Sequence, residues 1–238
     1  MELRQRVIQL AEAYRRQHTP LTLERLAGGI GASYQIANIM SDGMLEFERK
    51  KILLADGQSP KRQRFTMAHE VMHYLIRADD EALSELHEHF DGEDLERELE
   101  SLCNLGAAEM LLPGQAVEAG LTKRGQSPRL VAELAEQHQV SEEVVAIALA
   151  NRGPRPSLVL FAGGKPVKVY FSSKHPDFRV PLLPRDMVIA KEHPLSDALI
   201  TGLAFKGQAP LPGLSKLYAL EAYPKAGRVY GVYKEIVN

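Results

Sequence analysis

Apolar residues at Leu3, Val7, Leu10, Ala11 and Tyr14 return at the interval of one helix face, which predicts a helix over residues 3–14. A second short helix, residues 21–28, is broken by Gly28, Gly29 and Gly31. Between residues 34 and 54 the pattern suits short strands, with Ser41-Asp42-Gly43 as a turn and Lys51-Ile52-Leu53-Leu54 as the strand entering the next loop. Residues 64–76 are apolar on nearly every side, through Phe65, Met67, Ala68, Val71, Met72, Leu75 and Ile76. A helix of that kind belongs inside a fold. The polar stretch 77–91 reads as a loop. A further helix is predicted over 94–112, with the stripe Leu95, Leu99, Leu102, Cys103, Gly106 and Met110, and Pro113-Gly114 stops it.

A smaller helical unit follows over residues 121–152, as two helices, 128–138 and 141–151, joined by Gln139-Val140. Ser141 suits an N-cap, with Glu142 and Glu143 in the first turn. Gly153-Pro154-Arg155-Pro156 reads as a linker. Beyond it the period changes to that of strands: 158–162, a Gly163-Gly164 turn and 167–171 form a hairpin. A helix over 195–205 and strands over 217–222 and 229–236 complete an α/β C-terminal region, so the chain as a whole is read as α+β.

Composition narrows the class. The 238 residues suffice for one full core and one or two satellites, and no apolar run approaches a membrane span. The N-terminal residues lack the apolar core of a secretory signal, and the one cysteine, Cys103, rules out an intramolecular disulfide framework, so a cytoplasmic location is expected, with no membrane partner. A net charge of −2 gives no global attraction to nucleic acid.

Chemistry concentrates at His69-Glu70-Val71-Met72-His73. Residues four apart share a helix face, so the two imidazoles can address one cation, while Glu70 sits about 100° around the helix, placed for a water beside the metal. Catalytic zinc takes three protein ligands and leaves a fourth position open, so another carboxylate is required. Glu100, 27 residues after His73 and at the edge of the next helix's apolar stripe, is the choice. Glu96 is the local competitor, with Asp91 and Glu93 behind it. Asn104, one turn beyond Glu100, is placed to orient Glu100 or a histidine. The five-residue pattern alone arises by chance often enough to be merely suggestive. Its burial decides: two imidazoles and a carboxylate in an apolar helix are costly unless a divalent cation satisfies them.

Other candidates have plainer readings. His87 and His89 stand in a charged stretch and read as solvated surface. His175 and His193 each precede proline; either could donate to an oxyanion, but ordinary loop histidines are the simpler reading. Cys103, on an apolar stripe, reads as a small hydrophobe and not a redox switch. A rival to catalysis is a non-enzymatic, zinc-containing regulator that binds DNA through the helical pair. Against it, the second helix opens on Ser141, Glu142 and Glu143 with no basic residue until Arg152, although Lys123, Arg124 and Arg129 could touch phosphates. DNA binding is therefore not favoured.

The segments Arg62-Gln63-Arg64-Phe65-Thr66-Met67-Ala68-His69-Glu70-Val71-Met72-His73 and Glu100-Ser101-Leu102-Cys103-Asn104-Leu105-Gly106-Ala107-Ala108-Glu109-Met110-Leu111-Leu112-Pro113 together resemble the ImmA/IrrE metallopeptidase family, on the side of its radiation-response members. The resemblance implies zinc held by His69, His73 and Glu100, and Glu70 as catalytic acid and base; the sequence itself leaves manganese or iron open as the ion. It also implies a substrate that is a helix-turn-helix repressor of the DdrO type, whose cleavage derepresses DNA-damage genes. The expected organisation is a zincin-like metallopeptidase domain (1–118), a small helix-turn-helix-like unit with linker (119–155) and a GAF-like α/β domain (156–238).

Overall fold

Thr22, Ser59, Asp79, Ser127 and Ser141 each accept a hydrogen bond from the backbone amide three residues on, and each stands immediately before a helix. The computed structural model describes residues 3–175 and 177–236, in two compact units, Met1–Pro113 and Gly114–Asn238. The fold is mixed α+β. Among the described residues no helix is long and apolar enough to cross a membrane.

The first unit runs α1 (Leu3–His18), α2 (Leu23–Gly29), β1 (Ser33–Ala37), β2 (Gly43–Glu46), β3 (Lys51–Ala55), α3 (Pro60–Arg77), α4 (Asp80–His89) and α5 (Gly92–Leu111). Its sheet has the order β1-β3-β2, with β1 parallel to β3 and β2 antiparallel on the edge. Met67, Ala68, Val71, Met72 and Ile76 are fully buried, as the apolar composition of α3 requires, and α3 packs on α5, β2 and β3. The two helices meet at Gly106, where an added Cβ would stand 2.5 Å from Met72 Cε and 2.8 Å from its Cγ. The missing side chain is what lets α5 come close enough to bring Glu100 towards α3.

The stretch read from sequence as a loop, 77–91, is mostly the helix α4. Asp79 caps it, Asp80 and Glu81 occupy its first turn, and Ala82 and Leu86 supply two buried residues one turn apart. His87 and His89 lie in its last turn. Three apolar positions, Ala82, Leu83 and Leu86, in a polar segment were too sparse a stripe to reveal it. Asp79 is also gripped by Arg6 from α1, whose Nη2 lies 2.7 Å from its Oδ2 and whose guanidinium holds the carboxyl below its usual range.

The second unit runs α6 (Gly114–Arg124), α7 (Pro128–Gln137), α8 (Glu142–Arg152), β4 (Ser157–Gly163), β5 (Lys168–Lys174), α9 (Pro194–Thr201), β6 (Phe205–Pro210), β7 (Leu217–Lys225) and β8 (Arg228–Lys234). The strands form one antiparallel sheet, β5-β4-β8-β7-β6. One face, through Leu158, Leu160, Ala162, Leu220, Val229 and Tyr233, shares a core with Leu195 and Ala198 of α9. By strand alternation the buried Val159, Phe161, Tyr230 and Val232 lie on the other face, and α7 and α8 pack against this sheet. Helix α6 was not read from the sequence, since glycines at 114 and 120 and a weak apolar stripe conceal it. The helix expected over 195–205 ends at Thr201, because Gly202 takes the left-handed conformation (φ 72°) as its cap, and Phe205 opens β6 instead.

Candidate metal centre

Helix α3 directs His69, Glu70 and His73 towards a cleft of about 480 Å³, whose lining also includes Gly43 and Leu45 of β2 and Glu100 and Asn104 of α5. The two histidine Nε2 atoms stand 3.1 Å apart. Glu100 reaches both from the neighbouring helix: its Oε2 is 3.2 Å from His69 Nε2 and its Oε1 is 3.1 Å from His73 Nε2. Among the described residues this trio is the group of histidine, cysteine and carboxylate side chains close enough to share an ion. Glu96, Asp91 and Glu93 remain exposed and outside it.

The trio has the dimensions of a cation cradle. Two donors each ~2.0–2.1 Å from a tetrahedral ion lie about 3.3 Å apart, close to the spacings found here. The chemistry of the donors agrees. His69 Nδ1 is 3.1 Å from Asn104 Oδ1, so that nitrogen carries the proton and Nε2 presents a lone pair. A lone pair facing a second imidazole and a carboxylate is poorly satisfied without a positive charge between them. Burial lowers both imidazole pKa values, which favours the neutral, ligating form; the Glu100 charge opposes this at each, and His69 adds to the lowering at His73. A divalent metal fits this site.

Glu70 is 8% exposed, and burial, reinforced by the Glu100 charge, pushes its carboxyl up to about 7, with the Leu45 backbone amide pulling the other way. A carboxyl poised near neutrality suits proton transfer. It stands beside the trio and not within it.

Asn104 supports His69 and not Glu100. Asn104→Ala should lower metal affinity about 10- to 100-fold, read by competition against a chromogenic chelator; unchanged affinity would show that the amide does not orient the ring.

The remaining candidates are engaged elsewhere. His193 caps α9: its Nδ1 accepts from Leu195 N at 3.1 Å, and its Nε2 lies 2.9 Å from Pro210 O and 3.3 Å from Tyr233 Oη. His175 Nδ1 accepts from Asp177 N at 3.1 Å. Cys103 is fully buried and its thiol pKa is pushed up, first by burial and then by the charges of Glu100 and Glu70, which leaves it inert. Sequence reasoning missed β2 as a wall of the cleft. It also missed the tie that fixes the preceding turn, where Asp42 is bound by Arg62 and accepts from Gln58 Nε2 at 2.9 Å. Ser41-Asp42-Gly43 reads as a turn in one dimension, and nothing local reveals what it folds against.

Residues 32–150 match the profile of the IrrE N-terminal-like domain of peptidase family M78. The radiation response metalloprotease IrrE of Deinococcus deserti is 34% identical over 205 residues, covering 79% of this chain and 72% of the relative. That of Deinococcus radiodurans is 32% identical over 209 residues, covering 79% of this chain and 64% of the relative. A solved Mycobacterium tuberculosis transcriptional regulator shares the fold, with a TM-score of 0.61 over 95% of this chain and 76% of that one, at 17% identity.

Proposed function

Because the chain belongs to the IrrE N-terminal-like peptidase family, with two radiation response metalloproteases among its relatives, we propose that it is a zinc endopeptidase that cleaves a helix-turn-helix repressor of the DdrO type and so derepresses DNA-damage genes. The observation that carries the reading is the closed triangle of His69, His73 and Glu100 with Glu70 beside it in one open cleft. His69, His73 and Glu100 would hold the ion. Zinc bound there supplies Lewis-acid polarisation of the scissile carbonyl and acidifies a water. Glu70 takes the proton from the water whose oxygen attacks the carbonyl carbon, and delivers it to the amide nitrogen as the C–N bond breaks. Gly43, Met44 and Leu45 of β2 line the cleft, beside which an extended substrate segment would lie.

For the second unit we carry the reading of α7 and α8 as a helix-turn-helix-like pair and of residues 156–238 as GAF-like. The five-stranded antiparallel sheet with helices packed on it supports the latter. Helix α8 buries Val144, Val145, Ala146, Leu149 and Ala150, and it opens on two acidic residues, which speaks against presentation to a DNA groove.

The test is incubation of the purified chain with a candidate repressor. Cleavage should appear with added zinc, vanish with chelator and return on zinc addition. Salt-dependent DNA binding without proteolysis would instead favour a non-catalytic regulator, with zinc in a structural role.

A further inference from the structure

Edge strands expose one row of backbone groups, and the row that β2 turns outward is fixed by its pairing. Ala55 N donates to Asp42 O at 3.1 Å, so Asp42 and Ala55 form a hydrogen-bonded pair of the antiparallel ladder. Along the register Gly43↔Leu54, Met44↔Leu53, Leu45↔Ile52, hydrogen-bonded and non-bonded pairs alternate. Met44 therefore bonds inward to β3, while the amides of Gly43 and Leu45 point away from it. Helix α3 packs against this strand, Gly43, Leu45 and Glu70 line one cleft, and the Leu45 backbone amide pulls the Glu70 carboxyl pKa down. Gly43 permits the approach. A Cβ there would stand 2.9 Å from Glu70 Oε1 and would also run into the Thr66 methyl, and both neighbours are themselves buried.

From this geometry we infer that β2 braces the general base: the Leu45 amide aims the Glu70 carboxylate, and Gly43 is a positioning residue because any side chain at that point displaces it. The inference rests on the peptidase reading for its catalytic consequence, but the brace itself is a property of the folded chain. Without it, only the α3 backbone would hold Glu70, and that fixes its Cα alone. A displacement of ~1 Å in a reacting group is enough to cost about 100-fold in rate.

Two measurements on the full chain test it. In metal-free protein, NMR-resolved amide exchange should show the Leu45 amide protected despite its place on a sheet edge, and about tenfold or more faster in Glu70→Ala. The Met44 amide, bonded to β3, should be unchanged and so reports that the strand is intact. Equal Leu45 exchange in wild type and Glu70→Ala overturns the brace. In the second arm, Gly43→Ala should bind zinc as wild type does but lower kcat on the repressor about 10- to 100-fold at unchanged KM. Wild-type kcat in a folded Gly43→Ala overturns the positioning role. If Gly43→Ala does not fold, the exchange comparison still decides, and if the wild type cleaves no repressor, the proposed function fails while the exchange result stands.

Discussion

Glu70→Gln should keep the metal and lose turnover, by about 10²- to 10⁴-fold, the range for removing a positioned general base. Glutamine fills the same space and keeps a carbonyl oxygen for the Leu45 amide to address, but it has no basic oxygen at neutral pH. Metal content by elemental analysis and kcat on the repressor check the two halves; a variant with wild-type kcat would remove Glu70 from the mechanism. The same substitution reports on the electrostatics of the metal-free protein. The Glu70 pKa rises from 4.5 to about 7 on folding, so the folded state holds its proton more tightly than the unfolded chain does. Its contribution is full below about 4.5 and is lost as pH rises through about 7. Glutamine cannot lose that contribution. The stability of Glu70→Gln relative to wild type should therefore climb between pH ~4.5 and ~7 and then level off, by on the order of 2–4 kcal/mol. Denaturant titrations across that range measure it, and the histidines, present in both proteins, largely cancel. A flat difference would mean that Glu70 is better solvated than its 8% exposure implies.

Glu100→Ala should weaken zinc binding about 10²- to 10³-fold. Structural zinc sites with four donors bind with ~10–16 kcal/mol, so one donor in four is worth roughly 2.5–4 kcal/mol. The removed carboxylate is also the negative charge of the trio, and the two imidazoles left behind share one helix and one side of the ion. Glu96→Ala, one turn earlier on α5 and exposed, should bind zinc as wild type does. Competition titration separates the two, and equal loss in both variants would point to α5 as a whole and not to Glu100 as a ligand.

What could be read without coordinates follows from how far each signal travels along the chain. His69, Glu70 and His73 are legible because four-residue spacing and an apolar helix are both local. Glu100 is legible at one remove, as a carboxylate at the edge of the next apolar stripe. Asn104 was placed on the right turn, but only coordinates show that it serves His69 and not Glu100. Gly43 and Leu45 were out of reach, because their role depends on the pairing register of β2 with β3 and on the contact with α3, neither of which leaves a periodic trace in four residues. The missed elements α4, α6 and β6 share a cause: few apolar positions, or glycines that mimic breakers, while tertiary contacts and caps settled their conformation. Phe205 illustrates this, since it continues an apolar helical pattern until Gly202 ends the helix and a ladder with β7 claims it.

Helix α3 is at once a scaffold of its unit and the bearer of His69, Glu70 and His73, with Met67, Met72 and Ile76 enclosed alongside Glu70. No hinge or surface loop stands between the two roles, so these three side chains have no private way to come apart, and at Gly106 the helix of Glu100 packs directly against α3. Heat or denaturant should then extinguish the ion-holding geometry in the same cooperative step that melts the surrounding apolar layer, leaving no intermediate that is folded yet inert.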